Sequence, residues 1–499
     1  MQLHHPSKER ANALLCVIGT ILIVSVIGGN VLLNCVTRFN ATSGQVRGWK
    51  ESLYAAEAGG DLAYAEVRKT ILDPTHAFTG WTQSGSTYTS TPVTFGADVL
   101  STSAAADIFY YDTTTGNAWY RLRVKGTAPL QGLKRVGMDD RMGVGTRGDS
   151  MLRKIDFNYD HFIAAYGANG DGTGKAVVPM ASPRISRRIE LIAAPITPFE
   201  AAIKAGGTFY GLGSAAYVDS FRSTTGPYNA SVKTDPSDPR YGDSQAGTVE
   251  INSSVATILG NIYGNVYTNG GAVTKKTTSI SGIIDNNVPF TLAPFIMPNT
   301  SLWNVVPSPT AVIGNTTITP PITGSVATPN YYLLSSFANN GNLTVNPVVS
   351  GGVPQETYVA VHVTGDIGTN SGVGPTIVVP SHVHLQVFFD GNFQTKAQNI
   401  LNTSGYAGNL QFYGISPTDP AVQQTVDLNS GGGSSAGFAA VFYVPSANFT
   451  INGAPDITGA IVCKNFYANG NVHWHYDRSL DNQGDATDYR ITSYVEDTR

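Results

Sequence analysis

Two pairs of histidines stand one residue apart in this chain, His382 with His384 and His473 with His475. Alternate residues of a strand share a face, so either pair offers two imidazoles to one metal ion. No third ligand accompanies either pair in the sequence, and the plainer reading is packed or solvent-facing aromatics on strands; no metal and no cofactor is assigned. Residues 169–176, NGDGTGKA, resemble a phosphate loop only in part: Asn169 stands where the first Gly is required, and Ala176 where Ser or Thr must follow Lys175. The same run lacks the preceding Asp and the closing Glu of a calcium loop, and reads as a turn. Carboxylates are sparse and widely spaced from Glu250 through Asp285, Glu356, Asp366, Asp390, Asp419 and Asp427 to Asp456. Acid–base hydrolysis would need two of them brought together by stacked strands. With no GxSxG, HExxH or Cys-His arrangement, no catalytic residue is assigned and the expectation is that the protein is not an enzyme.

The elements that would carry such residues follow from composition. In 499 residues, 31 Lys and Arg face 35 Asp and Glu, a net charge of -4 that gives no basic footprint for a nucleic acid. Charged residues make up 13% of the chain, against about 25% in an average soluble domain. Polarity comes instead from Gly, Ser, Thr and Asn, and the 24 Tyr and 20 Phe supply strand formers, so the chain reads as mainly β and exported. Cys16 and Cys35 lie in or beside an apolar N-terminal run and only Cys463 follows, which leaves no disulfide to staple the bulk of the protein.

Residues 11–37 contain no charged side chain, and residues 14–33 alone would span about 30 Å as a helix. Leu14, Ile18, Leu22, Val26 and Leu32 are the side chains expected to meet lipid. Lys8 and Arg10 before the run place the N-terminus in the cytoplasm and the remainder outside. A signal peptide would have a shorter apolar core, and a lipoprotein would be lipidated at Cys35, preceded here by an ill-fitting Asn34. Helical periodicity continues through Trp49, Leu53, Ala56, Gly60, Ala63, Val67 and Ile71, and Pro74 ends it after Asp73. Gly28, Gly29 and Asn30 weaken the apolar helix midway, either as an extensible point or as a site of close helix packing.

The order of charged leader, apolar helix and YAAEAGG, with Ala55, Ala56, Glu57, Ala58 and Gly59, resembles the type IV pilin-like proteins of the PilX-type minor pilin and pilus-assembly family. Two further segments are similar to that family. One is the VDS-x-x-S-x-x-G-x-Y run with Val218, Asp219, Ser220, Ser223, Gly226 and Tyr228. The other is residues 457–480, with a GAI strand at Gly459, Ala460 and Ile461, a Gly470-Asn471 turn and an ending at His475, Tyr476, Asp477 and Leu480. The resemblance implies removal of the leader by a prepilin peptidase between Ala11 and Asn12. It also implies packing of the apolar helix among other pilin-like subunits, handled by a pilus assembly machinery. The fifth residue after that cut is Cys16 where the family's common subunits carry Glu, which points to a minor, tip or priming role.

Six segments are expected. They are a leader (1–11), a transmembrane helix (12–37), its amphipathic continuation (38–73), a mixed α+β pilin-like region (74–240), a β-rich domain (241–480) and a polar C-terminal tail (481–499). Within 74–240, DIFYYD, AWYRLRVKG and RRIELIAAPI read as strands, and TPFEAAIKAGG as a short helix ending at Gly206 and Gly207. Between Arg240 and Arg478 there is no arginine. Short apolar runs punctuated by Gly and Asn predict a β-solenoid there, with a β-sandwich as the alternative. The expected protein is therefore a pilus-type structural component in the inner membrane and then in a fibre or on the cell surface. A membrane-anchored adhesin binding a surface glycan, or a β-helical polysaccharide-active enzyme, are the other classes.

Overall fold

The computed structural model describes residues 8–95, 100–111, 117–129, 184–253, 255–270, 272–275, 280–307, 309–370, 372–419, 421–430, 437–484 and 486–497. The 169–176 run and the first seven residues lie outside them. The chain forms two compact units, Met1–Tyr110 with Trp119–Ala194 and Ile491–Arg499, and Tyr111–Ala118 with Pro195–Arg490.

The first unit is organised by one unbroken helix, α1 (Lys8–Leu72). Gly28, Gly29 and Asn30 lie inside it without interrupting it. Cys16–Leu72 contains a window of mean hydropathy 2.4, long and apolar enough to cross a membrane as an anchor or a signal sequence does. That part is bare: Ile18, Leu22, Val26 and Leu32 are all exposed. Further along, the period-3.6 stripe is buried at Ala56, Gly60, Ala63 and Val67. It rests on an antiparallel sheet made of Leu100–Tyr111, Ala118–Pro129 and Arg184–Ile196, with Asp488–Asp497 on its edge. These are the three strands expected from the sequence; residues 481–499, read as a polar tail, contribute a further strand, and the short strands Thr82–Ser84, Thr87–Thr89 and Val93–Phe95 complete a sheet of seven among the described residues.

Small residues on both sides permit close approach of helix and sheet. A Cβ on Gly59 would run into Thr102 and Val124, and one on Gly126 into the backbone of Ser52 and Ala56. Backbone on the helix side cannot swing away. Gly126→Val is therefore expected to cost about 3 kcal/mol by overpacking, seen as a lowered melting temperature; an unchanged one would contradict this packing.

The second unit is built almost entirely from parallel strands in register. One column of facing residues runs Ile284, Val266, Val249, Ile203, Ile461, Phe442, Phe412, Val387, Val361 and Tyr332. All but Ile284 are buried. A second runs Ala256, Phe209, Phe466, Phe449, Val426, Phe393, Ile367 and Phe337. The two columns meet in the core, where Phe442 lies edge-on to Phe393 at 5.7 Å and to Phe449 at 5.2 Å. A third is shorter: Ile262, Val218, Trp474 and Ile457. Asparagines stack outside the columns, Asn469 donating to Asn452 and Asn465 to Asn448, each pair 17 residues apart. At about 4.8 Å per strand the first column is about 40 Å long.

Chain order and column order differ. The strands Ile203–Ala205, Phe209–Gly211 and Tyr217–Phe221 start in the middle, and the chain first builds outward to Ile284–Asp285. It then crosses the ladder as an extended strap and resumes at the far end with Asn304–Val305. The strap is held rung by rung. Lys204 sits over Phe290, Tyr443 donates to the Ala293 carbonyl, and Phe295 stacks on Tyr413 and Phe388; Trp303 then meets Tyr331. From the far end the strands return inward until Asp456–Asn469 and His473–Asp477 pair directly with the starting ones.

The short helix expected in TPFEAAIKAGG is a correction: Ile203–Ala205 is a strand. Its backbone is claimed from both sides by Val249 and Ile461, and all three of its residues are buried. Partners on both sides outweigh the intrinsic helix preference of Ala and Lys.

Candidate functional site

The seam where the last strands meet the first gathers the most unusual chemistry of the second unit. His473–Asp477 runs parallel to Tyr217–Phe221, with His475 opposite Asp219. His475 is buried, its Nδ1 2.6 Å from Asp219 Oδ1 and its Nε2 bonded to Asp456 Oδ1. Burial alone would lower the imidazole's pKa, but the two carboxylates outweigh it and raise it above the ordinary 6.5. The hydrogen bond from His475 in turn holds Asp456 below its ordinary value, against a smaller desolvation effect. Asp219 is fully buried and takes two more partners on Oδ2: Tyr228 donates at 2.8 Å and Lys233 Nζ lies at 3.2 Å. The Tyr228 ring packs 3.7 Å from that of His475, and His473 stacks on Tyr217 at 4.3 Å. Burial, with Asp219 beside it, pushes the Tyr228 phenol far up.

The neighbouring motif residues extend the seam. Ser220 Oγ donates to the Asp243 carbonyl and accepts from the Ala246 amide. Asp477 Oδ1 accepts from the amides of Ser223 and Ser479, tying one motif to the other. Tyr476 donates to the Phe199 carbonyl or to Asp481. Arg222 and Arg478 converge on the Asp243 carboxylate at 3.5 and 2.8 Å. Gly226 has a φ of 143° and open space around it, so it is the backbone conformation after Ser223–Thr225 that requires glycine.

Chemically this is a clamp. Both ring nitrogens of His475 are committed to carboxylates, leaving neither to take a proton from a substrate. The other histidine pair is different: His382 Nδ1 and His384 Nε2 flank opposite oxygens of Glu356 at 2.6 and 2.8 Å on the surface. Those hydrogen bonds, His382 foremost, keep the Glu356 carboxyl below its ordinary value. Among the described residues no group of three or more His, Cys, Asp or Glu side chains is placed to hold a metal ion. Cys463 is fully buried in the ladder, and burial pushes its thiol up. In native detergent-solubilised protein a thiol reagent is expected to label Cys16 and Cys35 at once and Cys463 only after denaturation. Rapid native labelling of all three would contradict the packing.

Asp219, Ser220, Gly226, Tyr228, His475, Tyr476 and Asp477 are thus all placed along this one seam. Ala55, Ala56 and Gly59 belong to the other unit, on the helix face against the sheet. Ala58 is half-buried there, and Glu57 accepts from Tyr494 at 3.3 Å. Ala11 and Asn12 fall within the first turns of α1, as does Leu14. Lys233, Asp243 and Asp456 stand in no motif; isolated charges in a Gly- and Asn-rich stretch carry no local pattern that pairs them.

The fold and seam describe a parallel-ladder β protein carried behind an apolar helix. A family model described as a domain of unknown function, DUF7305, matches residues 313–483, which covers most of the ladder and the His475 strand but less than half of the chain. No curated protein and no solved structure matches the chain.

Proposed function

We propose that this protein is a structural minor pilin or pilus-assembly component of a type IV pilus-like fibre. Its apolar helix half inserts in the inner membrane and later packs among other pilin-like subunits, and its ladder is displayed outside the cell as a β-solenoid. The observation that carries the reading is the division of α1 into a bare apolar half and a half whose Ala- and Gly-rich stripe is docked on an antiparallel sheet. A bare apolar helix needs lipid or similar helices around it. The ladder suits display, because in-register parallel strands with stacked apolar columns and asparagines extend a long surface from few charges. Parallel pairing on each face also favours a solenoid over a sandwich, whose strands are antiparallel.

The topology is tested by adding protease to intact cells and then to cells with an opened envelope. The reading expects the ladder to be cleaved from outside the inner membrane, with a short N-terminal fragment protected. A ladder protected until the inner membrane is lysed would overturn it.

A further inference from the structure

Lys233 and Asp219 form a close ion pair shielded from solvent. Asp219 is 1% and Lys233 11% exposed, with Nζ 3.2 Å from Oδ2. Tyr217, at 3.8 Å, Tyr228 and Tyr263 surround the amine and keep water from it. Each carboxylate oxygen already has a donor, His475 on Oδ1 and Tyr228 on Oδ2. Lys204, also buried in this unit, is arranged differently. It lies between two carboxylates, Glu250 at 3.0 Å and Glu200 at 3.6 Å, which compete for it.

The geometry points to an intramolecular amide bond between Lys233 Nζ and Asp219 Cγ, formed after folding with loss of one water. The ammonium passes a proton to the carboxylate, and the neutral Nζ then attacks Cγ. His475 polarises Oδ1 and holds the negative charge that develops there. The Cγ–Oδ2 bond breaks, and Oδ2 departs as water with two of the three ammonium protons; the third stays on the amide nitrogen. Reactant ion pair and products carry the same net charge, and no oxidant, reductant or co-reactant enters. Holding amine and carboxyl in contact supplies an effective concentration that free solution lacks. Replacing a buried ion pair by a neutral amide also removes the cost of keeping two charges out of water. Oδ1 remains an acceptor for His475 in the linked state, and the link closes the loop that carries Gly226 and Tyr228 across the first strands of the ladder.

The test is a peptide map of the denatured, trypsin-digested full chain. The expected product is residues 205–222 joined to residues 223–240, uncut at Lys233 and lighter than the summed peptides by about 18 Da, one water. In Lys233→Arg that species must vanish and cleavage at position 233 must appear. Complete recovery of residues 205–222 and 223–233 as separate peptides from the wild-type protein would overturn the proposal, as would a linked species that persists in Lys233→Arg.

Discussion

Leu22→Asp, and equally Val26→Asp, is expected to strip the protein from membranes. Both side chains lie on the bare part of α1, 61% and 63% exposed within the apolar window. A carboxylate at the centre of a bilayer costs about 2.5 to 3.5 kcal/mol on insertion scales, which corresponds to about a 100-fold loss in partitioning. A charge placed further along the same helix, on the exposed Ser43 as Ser43→Asp, lies outside the most apolar part and should leave membrane recovery unchanged. Fractionation after alkaline washing reads the difference. Equal membrane recovery of Leu22→Asp and wild type would show that this half of the helix does not sit in lipid.

The second large effect is expected at the seam. His475→Ala removes one partner of the buried Asp219 and the hydrogen-bonded bridge from it to Asp456. Breaking a buried ion pair by removing one member costs about 3 to 5 kcal/mol. In the unlinked state Asp219 keeps Tyr228 and the Lys233 ion pair, which places the expectation there at about 3 kcal/mol. The ladder should melt at lower temperature in this variant, with the helix–sheet unit unaffected. pH supplies an independent check. The folded-state pKa of His475 is raised, so its contribution is fully present below the ordinary 6.5 and is lost as pH rises through the higher folded value. That of Asp456 is lowered, so its contribution is present above the ordinary 3.8 and fades as pH falls through the lower folded value. Wild-type ladder stability should therefore decline as pH rises from the ordinary 6.5 through the higher folded value of His475, and His475→Ala should flatten that decline. An identical decline over that range in the two proteins would show that His475 does not cause it.

Periodicity makes α1 and the strands of the first unit legible in the sequence. The stripe from Ala56 to Val67 and the alternation in AWYRLRVKG are local signals, and both correspond to buried faces. The mainly β character was legible from composition for the same reason. Partners that depend on the order of the ladder were not. Nothing near Ile203 states that Val249 will lie on one side and Ile461 on the other, so EAAIKA read as a helix. The composition shift at Arg240 likewise conceals the fact that Ile203–Ala205 shares a sheet with Val249–Ile251. At the seam, the motif residues Asp219, Tyr228 and His475 were singled out separately, but their meeting depends on a chain that leaves the middle of the ladder and returns to it. Asp456 and Lys233 join them by shorter connections without a motif, Asp456 from the neighbouring rung 19 residues before His475 and Lys233 from the loop after Tyr228.

The proposed passage of this protein into a surface fibre on its apolar helix is read out by shearing intact cells and determining the N-terminus of the protein in the sheared and membrane fractions. The same polypeptide is expected in both, starting at Asn12 with the apolar helix retained. Protein confined to the membrane with residues 1–11 still attached, or a chain beginning at a lipidated Cys35, would contradict that expectation.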